Sequence, residues 1–363
     1  MNKRTVLRRL AAVARCGAVV AIIAAVAALP IDWTRIGRAA TLLAAGLQQP
    51  KNAVGALAEG TRAGNRTPSD TATLPFGTPS GGDHTSPLPT EDSDAVPAVT
   101  APKEDGSGGK IYERQLDAGN TLKNGIALRN SSGKAVDVAA ALSTKLTMRF
   151  ADTDAPQVLI IHTHTTEEYM TYAAGYYNAA DRGRTTDHAR NVCAAGDALA
   201  RTLAAQGIVA IHDKTVHDTP YSGAYNRSAE TVQKYLKQYP SIRVVLDLHR
   251  DALMEGESGL VKPTVTVDGK QAAQMMIIAG VLSTDALPNP HWQQNLALAA
   301  QWQQALTSRH SGLMRPLSTV GSRYNQHLHA GYLLVEIGSE GNTVAEAEYS
   351  AEILGKTLAE LLK

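Results

Sequence analysis

Two histidines and a glutamate, His162, His164 and Glu167, follow directly on a short apolar stretch. That stretch, Val158–Ile161, is apolar and rich in β-branched residues, which is typical of a buried parallel strand. In α/β proteins the ends of such strands carry the chemistry. His162 and His164 are two residues apart, so they point to the same side as long as the chain stays extended. If the chain coils after His164, the Glu167 carboxylate and an imidazole can reach one cation, which indicates half of a zinc site.

Two later strands end in residues of the same kind. Val244–Leu248 leads into His249, and Leu333–Val335 leads into Glu336. Because the carboxyl ends of parallel strands share one edge of a sheet, we expect these residues to lie near His164. The two histidines and the earlier glutamate would then hold a catalytic zinc ion and leave its fourth position open for water. Glu336 is the carboxylate that would take the proton from the water and pass it to the leaving amine.

Each of these residues also has a purely structural explanation. His249 could cap a helix or bond a carbonyl group, and Glu336 could pair with a buried cation such as Arg323. Arg250 is a candidate for binding substrate, but it could instead form a local ion pair with Asp251. These alternatives stay open at the level of the sequence.

Asp247 lies two residues before His249 on the same face of the strand, so it is a candidate to orient that imidazole. We expect His327 and His329 in a loop near the site, with metal binding as the alternative. The remaining histidines outside the first 100 residues show no partner spacing, and we expect them at the surface: His188, His212, His217, His291 and His310.

The elements that must position these residues alternate between strands and helices from residue 110 to residue 363. Strand-like runs such as Ile242–Leu248 and Met275–Leu282 are separated by amphipathic helical stretches such as Ala224–Tyr239. This alternation predicts an α/β domain with a mixed, largely parallel sheet and helices on both faces. We expect a hairpin-like start between Lys110 and Phe150.

Residues 1–33 form a targeting segment. The first 15 residues carry five basic side chains and no acidic one, and the run Cys16–Ile31 is apolar. We expect a single-pass anchor in the cell membrane that leaves the C-terminal domain outside the cytoplasm, and Trp33 suits the membrane interface. A cleaved signal peptide with its site at Ala25–Ala27, and hence secretion, is the alternative.

Residues 34–109 are a juxtamembrane and linker region. From about residue 60 the sequence is rich in Pro, Gly, Ser, Thr and Asp, which predicts a disordered linker. The formal net charge is +1, and the chain shows no basic excess that would indicate a nucleic-acid partner. Of its two cysteines, Cys16 lies in the apolar run and Cys193 in a helical pattern, so we expect no disulfide between them and a buried Cys193.

Several motifs together resemble the stage II sporulation protein P family over about residues 110–363. They are His162-Thr-His164-Thr-Thr-Glu167-Glu-Tyr169, Asn191-Val192, Leu246-Asp-Leu-His249-Arg-Asp-Ala252, Asn289-Pro-His-Trp-Gln-Gln-Asn295, Tyr324-Asn-Gln326 and Val335-Glu336-Ile-Gly-Ser-Glu-Gly-Asn342-Thr343. The resemblance implies a membrane-anchored peptidoglycan hydrolase related to zinc-dependent N-acetylmuramoyl-L-alanine amidases. It also implies endopeptidase activity, and engulfment during sporulation with membrane-anchored partners that include a glycan-cleaving enzyme.

The resemblance assigns His164 and His249 to the metal and Glu336 to catalysis. Related amidases carry their second ligand at the start of the helix after the first strand, so a residue near Asp187 and His188 is the alternative to Glu167. His162 either binds the metal or orients the substrate, and we place it with Arg250 among the substrate-binding residues.

Two other classes of function compete with a zinc amidase. A metallophosphoesterase also opens its site with a His-x-His pattern after a strand. The stretch after His164 lacks an acidic, glycine-rich continuation, and few residues could hold a second metal. An inactive wall-binding or scaffold protein would have no need to keep His164, His249 and Glu336 together.

Overall fold

The computed structural model describes residues 100–117, 119, 125–181 and 183–363. Its strands are β1 (Gly109–Arg114), β2 (Leu128–Asn130), β3 (Val158–Ile161), β4 (Tyr176–Tyr177), β5 (Ala210–His212), β6 (Val244–Asp251), β7 (Met254–Glu255), β8 (Gly259–Val267), β9 (Lys270–Ala273), β10 (Met275–Gly280), β11 (Leu317–Val320) and β12 (Tyr332–Ser339). Its α-helices are α1 (Val138–Ser143), α2 (Val192–Ala205), α3 (Ala224–Gln238), α4 (Trp292–Arg309) and α5 (Val344–Leu362). Short 3-10 turns lie at Ala179–Asp181 and Gln326–Leu328.

Seven of these strands form the main sheet, in the spatial order β2-β11-β10-β12-β6-β3-β5. Within the described residues, five of the six neighbouring pairs are parallel, and β10 with β12 is the antiparallel one. The prediction of a mixed, largely parallel sheet is confirmed. The three strands whose ends were expected to converge, β3, β6 and β12, are adjacent at its centre.

Helices cover both faces of this sheet. Val158 and Ile160 of β3 belong to the large core that contains α2, α4 and α5. Leu159 and Ile161 alternate with them and pack in a smaller cluster with Val232 of α3. Burial on both faces explains why β3 and the first three residues of β6, Val244–Leu246, are apolar.

The helices begin at residues that satisfy free backbone N–H groups. Asn191 caps α2 through the Cys193 N–H (2.9 Å), and Thr343 forms a reciprocal capping box with Glu346 at the start of α5. These caps fix the two helix starts that adjoin the segment after β3.

A second sheet, which the sequence analysis did not predict, lies beside the first. It has the order β4-β1-β8-β7, with β9 paired to β8. β1 runs parallel to β8, which is about 150 residues further along the chain, so the expected hairpin-like start is wrong. β1 and β2 instead belong to different sheets.

The predicted linker and membrane segment lie largely outside the described residues. The end of the linker that is described contacts the domain: the Tyr176 hydroxyl donates to the Pro102 carbonyl (2.5 Å), and the Asp105 N–H donates to Asn178 Oδ1 (3.0 Å). No helix among the described residues is long and apolar enough to cross a membrane. The segment 1–33 and the linker residues 34–99 stay predictions.

Candidate metal centre

His164, Glu167 and His249 meet at the carboxyl edge of the main sheet. Glu167 Oε1 lies 3.5 Å from His164 Nδ1, and Glu167 Oε2 lies 3.3 Å from His249 Nδ1. One ligand atom from each residue falls within 4.8 Å of the other two. All three side chains are buried, so they form a compact group shielded from bulk water.

Glu167 is held in place by hydrogen bonds from three directions. Its N–H donates to the His164 carbonyl (3.1 Å), its carbonyl accepts from Val192 at the start of α2 (2.9 Å), and its carboxylate accepts from the Arg250 N–H (3.1 Å). The chain therefore turns after β3, as predicted, and this turn brings the glutamate back over the strand ends.

The backbone that follows Glu167 is also anchored at two distant points. The Tyr169 N–H donates to the Arg190 carbonyl (2.9 Å), and the Met170 N–H donates to the Asn342 carbonyl (2.9 Å). These bonds connect the segment to the residues just before α2 and α5. The segment that carries Glu167 is consequently part of the sheet edge, although it is not a strand.

Asp247 adjoins the far side of the His249 ring. Its Oδ1 lies 3.0 Å from His249 Nε2, and its carboxylate also accepts from the Thr163 N–H (2.7 Å) and the Thr163 hydroxyl (2.6 Å). Burial opposes a charged imidazole, but Asp247 and Glu167 outweigh it and raise the pKa of His249 well above its usual value. The arrangement leaves Nδ1 of His249 directed at Glu167.

Glu336 lies on β12 directly opposite His249 in the register of the two strands. Burial, reinforced by the nearby Asp251 carboxylate, raises the pKa of Glu336 to about 8. Its Oε2 has no hydrogen-bond partner among the described residues. A carboxyl group in this state can hold or release a proton close to neutral pH.

The charged side chains around Glu336 do not form the ion pairs that were considered from the sequence. Asp251 pairs with Arg315 (2.7 Å) and not with its neighbour Arg250. Arg323 donates to the Pro288 carbonyl (2.9 Å), so the structural pair with Glu336 that was the alternative to a catalytic role is not formed. Adjacent residues on a strand point to opposite faces, which separates Arg250 from Asp251.

Arg250 has a buried guanidinium group. Its Nε donates to the Glu168 carbonyl and its Nη2 to the Gly183 carbonyl, both at 3.0 Å, and Nη1 lies 3.5 Å from Glu340 Oε2. These contacts connect β6 to the segment after Glu167. A role of Arg250 in binding substrate stays a prediction.

His162 lies beside the group but faces away from it. β3 ends at Ile161, so the alternation of an extended chain is lost before His164 and the two histidines do not share a side. The His162 ring is fully buried, with Nδ1 at 3.0 Å from the Leu248 carbonyl and Nε2 at 2.8 Å from His212 Nε2. Its role in binding substrate stays a prediction.

Two histidines assigned to the surface are not exposed: His217 is buried, and the side chain of His212 is only 7% exposed. His212 ends β5 and contacts His162, and His217 bonds the His162 carbonyl (2.9 Å) and the Thr231 hydroxyl (2.9 Å). The sequence did indicate a special position for His212, because this residue stands at the end of an apolar strand, and His249 stands near the end of another. His217 follows no such strand, and the sequence gives no comparable signal for it.

The residues at the site that sequence reasoning missed are Arg184 and Tyr221. Arg184 Nη2 lies 4.0 Å from Glu167 Oε1, and the guanidinium stacks over the Tyr221 ring at 4.7 Å. Tyr221 in turn packs edge-on against His164 (4.6 Å between ring centroids). Both residues lie in irregular segments, where no period marks them.

His164, Glu167 and His249 together form the first group of candidate metal ligands. Their donor atoms fit zinc. Two imidazoles and one carboxylate are the ligands of a catalytic zinc site, and the group is buried and convergent. His164 Nε2 is buried and has no hydrogen-bond partner among the described residues. Asp187 is exposed, and neither Asp187 nor His188 belongs to a convergent group in the described part of the chain.

Together, the fold and this group define an α/β protein with a candidate metal centre at the carboxyl edge of a largely parallel sheet. The family model described as Stage II sporulation protein P (SpoIIP) matches residues 91–359. The chain belongs to the stage II sporulation protein P family. Among proteins with curated functions, none matches this chain.

Solved structures of amidases are similar to this chain at low sequence identity. They include the N-acetylmuramyl-L-alanine amidase Ami1 of Mycobacterium smegmatis (13% identity, TM-score 0.31, covering 57% of this chain and 97% of that chain). The CwlD amidase of Clostridioides difficile, in complex with the GerS lipoprotein, shows 10% identity and a TM-score of 0.35 over 57% of this chain and 98% of that chain. The amidase AmiC2 of Nostoc punctiforme shows 12% identity and a TM-score of 0.31, covering 57% of this chain and 94% of that chain.

Proposed function

We propose that this protein is a zinc-dependent peptidoglycan hydrolase that cleaves the amide between N-acetylmuramic acid and L-alanine of the stem peptide. The observation that carries the proposal is the buried convergence of His164, Glu167 and His249, with Glu336 opposite His249. Membership of the stage II sporulation protein P family supports the substrate class.

His164, Glu167 and His249 would hold the ion. When bound, it would polarise the scissile carbonyl and make an attacking water more acidic. The Asp247 carboxylate, 3.0 Å from His249 Nε2, would hold the charged side of the ring and leave Nδ1 directed at the ion. The Arg250 N–H fixes one carboxylate oxygen of Glu167.

Glu336 is the proton carrier in this proposal. Its Oε2 takes a proton from the attacking water and delivers it to the nitrogen of the leaving L-alanine. A group that must both accept and donate works best when its pKa is near the working pH, and burial raises the pKa of Glu336 to about 8. Burial also excludes competing water from the carboxyl group.

The cellular setting is proposed from the family. The protein would act in engulfment during sporulation, anchored in the cell membrane by residues 1–33 with its C-terminal domain outside the cytoplasm. Residues 34–109 would give the domain, residues 110–363, reach into the wall. Membrane-anchored sporulation partners, including a glycan-cleaving enzyme, and a further endopeptidase activity belong to the same proposal.

The test is digestion of purified peptidoglycan by the full chain in detergent, followed by mass analysis of the products. We expect released stem peptides with a free L-alanine amino group and intact glycan strands, and we expect a chelator to abolish release. His310→Ala, a change at the end of α4, serves as the matched histidine control. Hydrolysis of a phosphodiester substrate without release of peptides would favour a metallophosphoesterase, and wall binding without products would favour a scaffold protein.

A further inference from the structure

A second convergent group lies beside the candidate metal centre and shares no residue with it. It consists of His162 after β3, His212 at the end of β5 and Cys193 in α2. One ligand atom from each residue lies within 4.8 Å of the other two. The three residues come from three different elements, so the group connects β3, β5 and α2 at one point.

The hydrogen bonds of the two imidazoles determine where their protons lie. His162 Nδ1 is 3.0 Å from the Leu248 carbonyl oxygen, which can only accept, so this nitrogen carries a hydrogen. His212 Nδ1 is 2.9 Å from Asp197 Oδ1. Lys214 donates to the other oxygen of the same carboxylate (2.7 Å), so Asp197 is ionised and also only accepts.

The two Nε2 atoms therefore face each other with lone pairs. A neutral imidazole carries a single N–H, and in both rings that hydrogen is on Nδ1. Yet Nε2 of His162 and Nε2 of His212 are only 2.8 Å apart. Such a contact requires a cation between the two atoms, either a proton or a metal ion.

A metal ion satisfies this contact better than a proton. A proton would join the two nitrogens alone, whereas a metal ion could also take the Cys193 sulfur, which lies within 4.8 Å of both rings. Cys193 supplies a third donor, and sulfur with two imidazoles is a ligand set for thiophilic transition metals. Burial raises the pKa of the Cys193 thiol to about 12, so binding the metal would release the thiol proton to solvent.

The packing of α2 leaves room for the imidazole pair. Gly196 lies one turn after Cys193 on the same helix, and a Cβ atom there would come within 2.4 Å of His212 Nε2 and 2.9 Å of His162 Nε2. Glycine inside a helix is unfavourable by about 1 kcal/mol relative to alanine, so its presence needs a local reason. Here the reason is the close approach of the two rings to the helix.

We propose that His162, Cys193 and His212 form a second metal site, which takes a thiophilic transition-metal ion such as zinc. With Zn–N distances of about 2.0–2.1 Å, two imidazole nitrogens of a tetrahedral site are about 3.3 Å apart, so the rings need to separate by about 0.5 Å. Asp197 and the Leu248 carbonyl then orient the two rings, as carboxylates and carbonyls do around bound metals. Through His162, the ion would hold in place the start of the segment that carries His164 and Glu167.

The test counts metal and looks for sulfur ligation in the full chain. The protein is stripped with chelator, reloaded with zinc and counted by elemental analysis, and a second sample is loaded with Co²⁺. We expect two equivalents of zinc and a near-ultraviolet charge-transfer band from thiolate to cobalt. The first group contains no sulfur, so the band reports the second site alone.

Variants separate the two sites. Cys193→Ala should lose one equivalent of zinc and the band, whereas Cys16→Ala, the matched control for the other cysteine of the chain, should keep both. His249→Ala should lose one equivalent and keep the band, whatever the outcome of the peptidoglycan assay. If Cys193→Ala fails to fold, as judged by circular dichroism, the band in Cys16→Ala still decides, because Cys193 is then the remaining thiol.

Absence of the charge-transfer band from the Cys16→Ala protein, or an unchanged zinc count in folded Cys193→Ala, would overturn the proposal. The contact between the two imidazoles would then be a shared-proton hydrogen bond.

Discussion

Glu336 and His249 are cross-strand neighbours: they lie opposite each other in the parallel register of β12 and β6. This register places a carboxyl group with a raised pKa next to an imidazole that contacts Glu167. It is set by the apolar pattern of the two strands, because a slip by one residue would turn every side chain to the opposite face. The relation between base and ligand in the proposed mechanism thus depends on the core of the sheet.

Replacing Glu336 tests its role as proton carrier. Glu336→Gln keeps the shape of the side chain but cannot take a proton, so we expect peptidoglycan turnover to fall by about a hundredfold or more. Zinc content should be unchanged, because Glu336 is not among the three ligands. Glu352→Gln, on α5, is the control. Loss of zinc together with activity would make Glu336 a ligand instead.

His249→Ala tests the ligand set. We expect the variant to lose the zinc ion of the first group, because His249 supplies one of its two imidazoles. Elemental analysis beside His310→Ala measures the loss. An unchanged zinc count in the folded variant would show that His249 is not a ligand.

Asp247→Asn tests the orientation of the His249 ring. The amide keeps the size of the side chain but removes the negative charge that lies 3.0 Å from His249 Nε2, so we expect the zinc dissociation constant to rise by about 10–100-fold. Competition with a chromophoric chelator measures it. Asp268→Asn, in the turn between β8 and β9, is the control, and equal affinities in the two variants would exclude the orienting role.

The raised pKa of Glu336 predicts how the metal-free protein responds to pH. The folded chain holds a proton on this group up to about pH 8, whereas the unfolded chain loses it near the reference value of 4.5. The stability from this group is therefore fully present below pH 4.5 and is lost as the pH rises to about 8.

Denaturant unfolding of the stripped protein at pH 5 and pH 8 measures this effect. Other titrating groups also change the stability with pH, and they do so equally in the wild type and in Glu336→Gln. The variant therefore serves as the reference. We expect the wild type to lose more stability between the two pH values than the variant does. Equal losses would mean that the Glu336 pKa is not raised in the folded chain.

The N-terminal segment predicts where the protein is found. The five basic residues before the apolar run should keep the N-terminus in the cytoplasm, so the full chain should sediment with membranes and be cut by external protease. A chain that starts at residue 34 should remain soluble. Recovery of a soluble natural form that begins near Ala28 would favour a cleaved signal peptide.

The central strands and the longer helices could be predicted because their residues carry a strong pattern. Ile242–Leu248 and Leu333–Val335 were expected in strands, and the structure has β6 and β12 there, which continue past the expected ends to Asp251 and Ser339. Those extra residues include His249 and Ser339. Burial on both faces produces unbroken apolar runs, which is the pattern easiest to recognise.

The second sheet could not be predicted, because its strands pair across long separations in sequence. Ile111 pairs with Leu260, and nothing in either stretch indicates the other. The strand β11 was also missed. It is short and contains Ser318 and Thr319, which are buried as polar residues and give no apolar run.

Only the part of the site that is built from strand ends could be predicted from the sequence. The meeting of His164, Glu167 and His249 follows from adjacent parallel strands. The direction of His162 does not, because it depends on where β3 stops being extended. Nor could the partner of Asp251 be found, since Arg315 is remote in sequence and no pattern joins them.

Between Met170 and Arg190 the chain passes through β4, which pairs with β1, and comes back to the site at Gly183 and Arg184. The start of this stretch is fixed by the Met170 bond to Asn342, and its end by the bond from Tyr169 to Arg190. Lengthening a loop whose ends are already held costs only about 0.6 kcal/mol for each doubling of its length. Insertions at the exposed residues Ala179 and Ala180 would therefore enlarge the surface next to β4 and leave Arg184 and Glu167 in place, so this turn is where added recognition loops could be grafted.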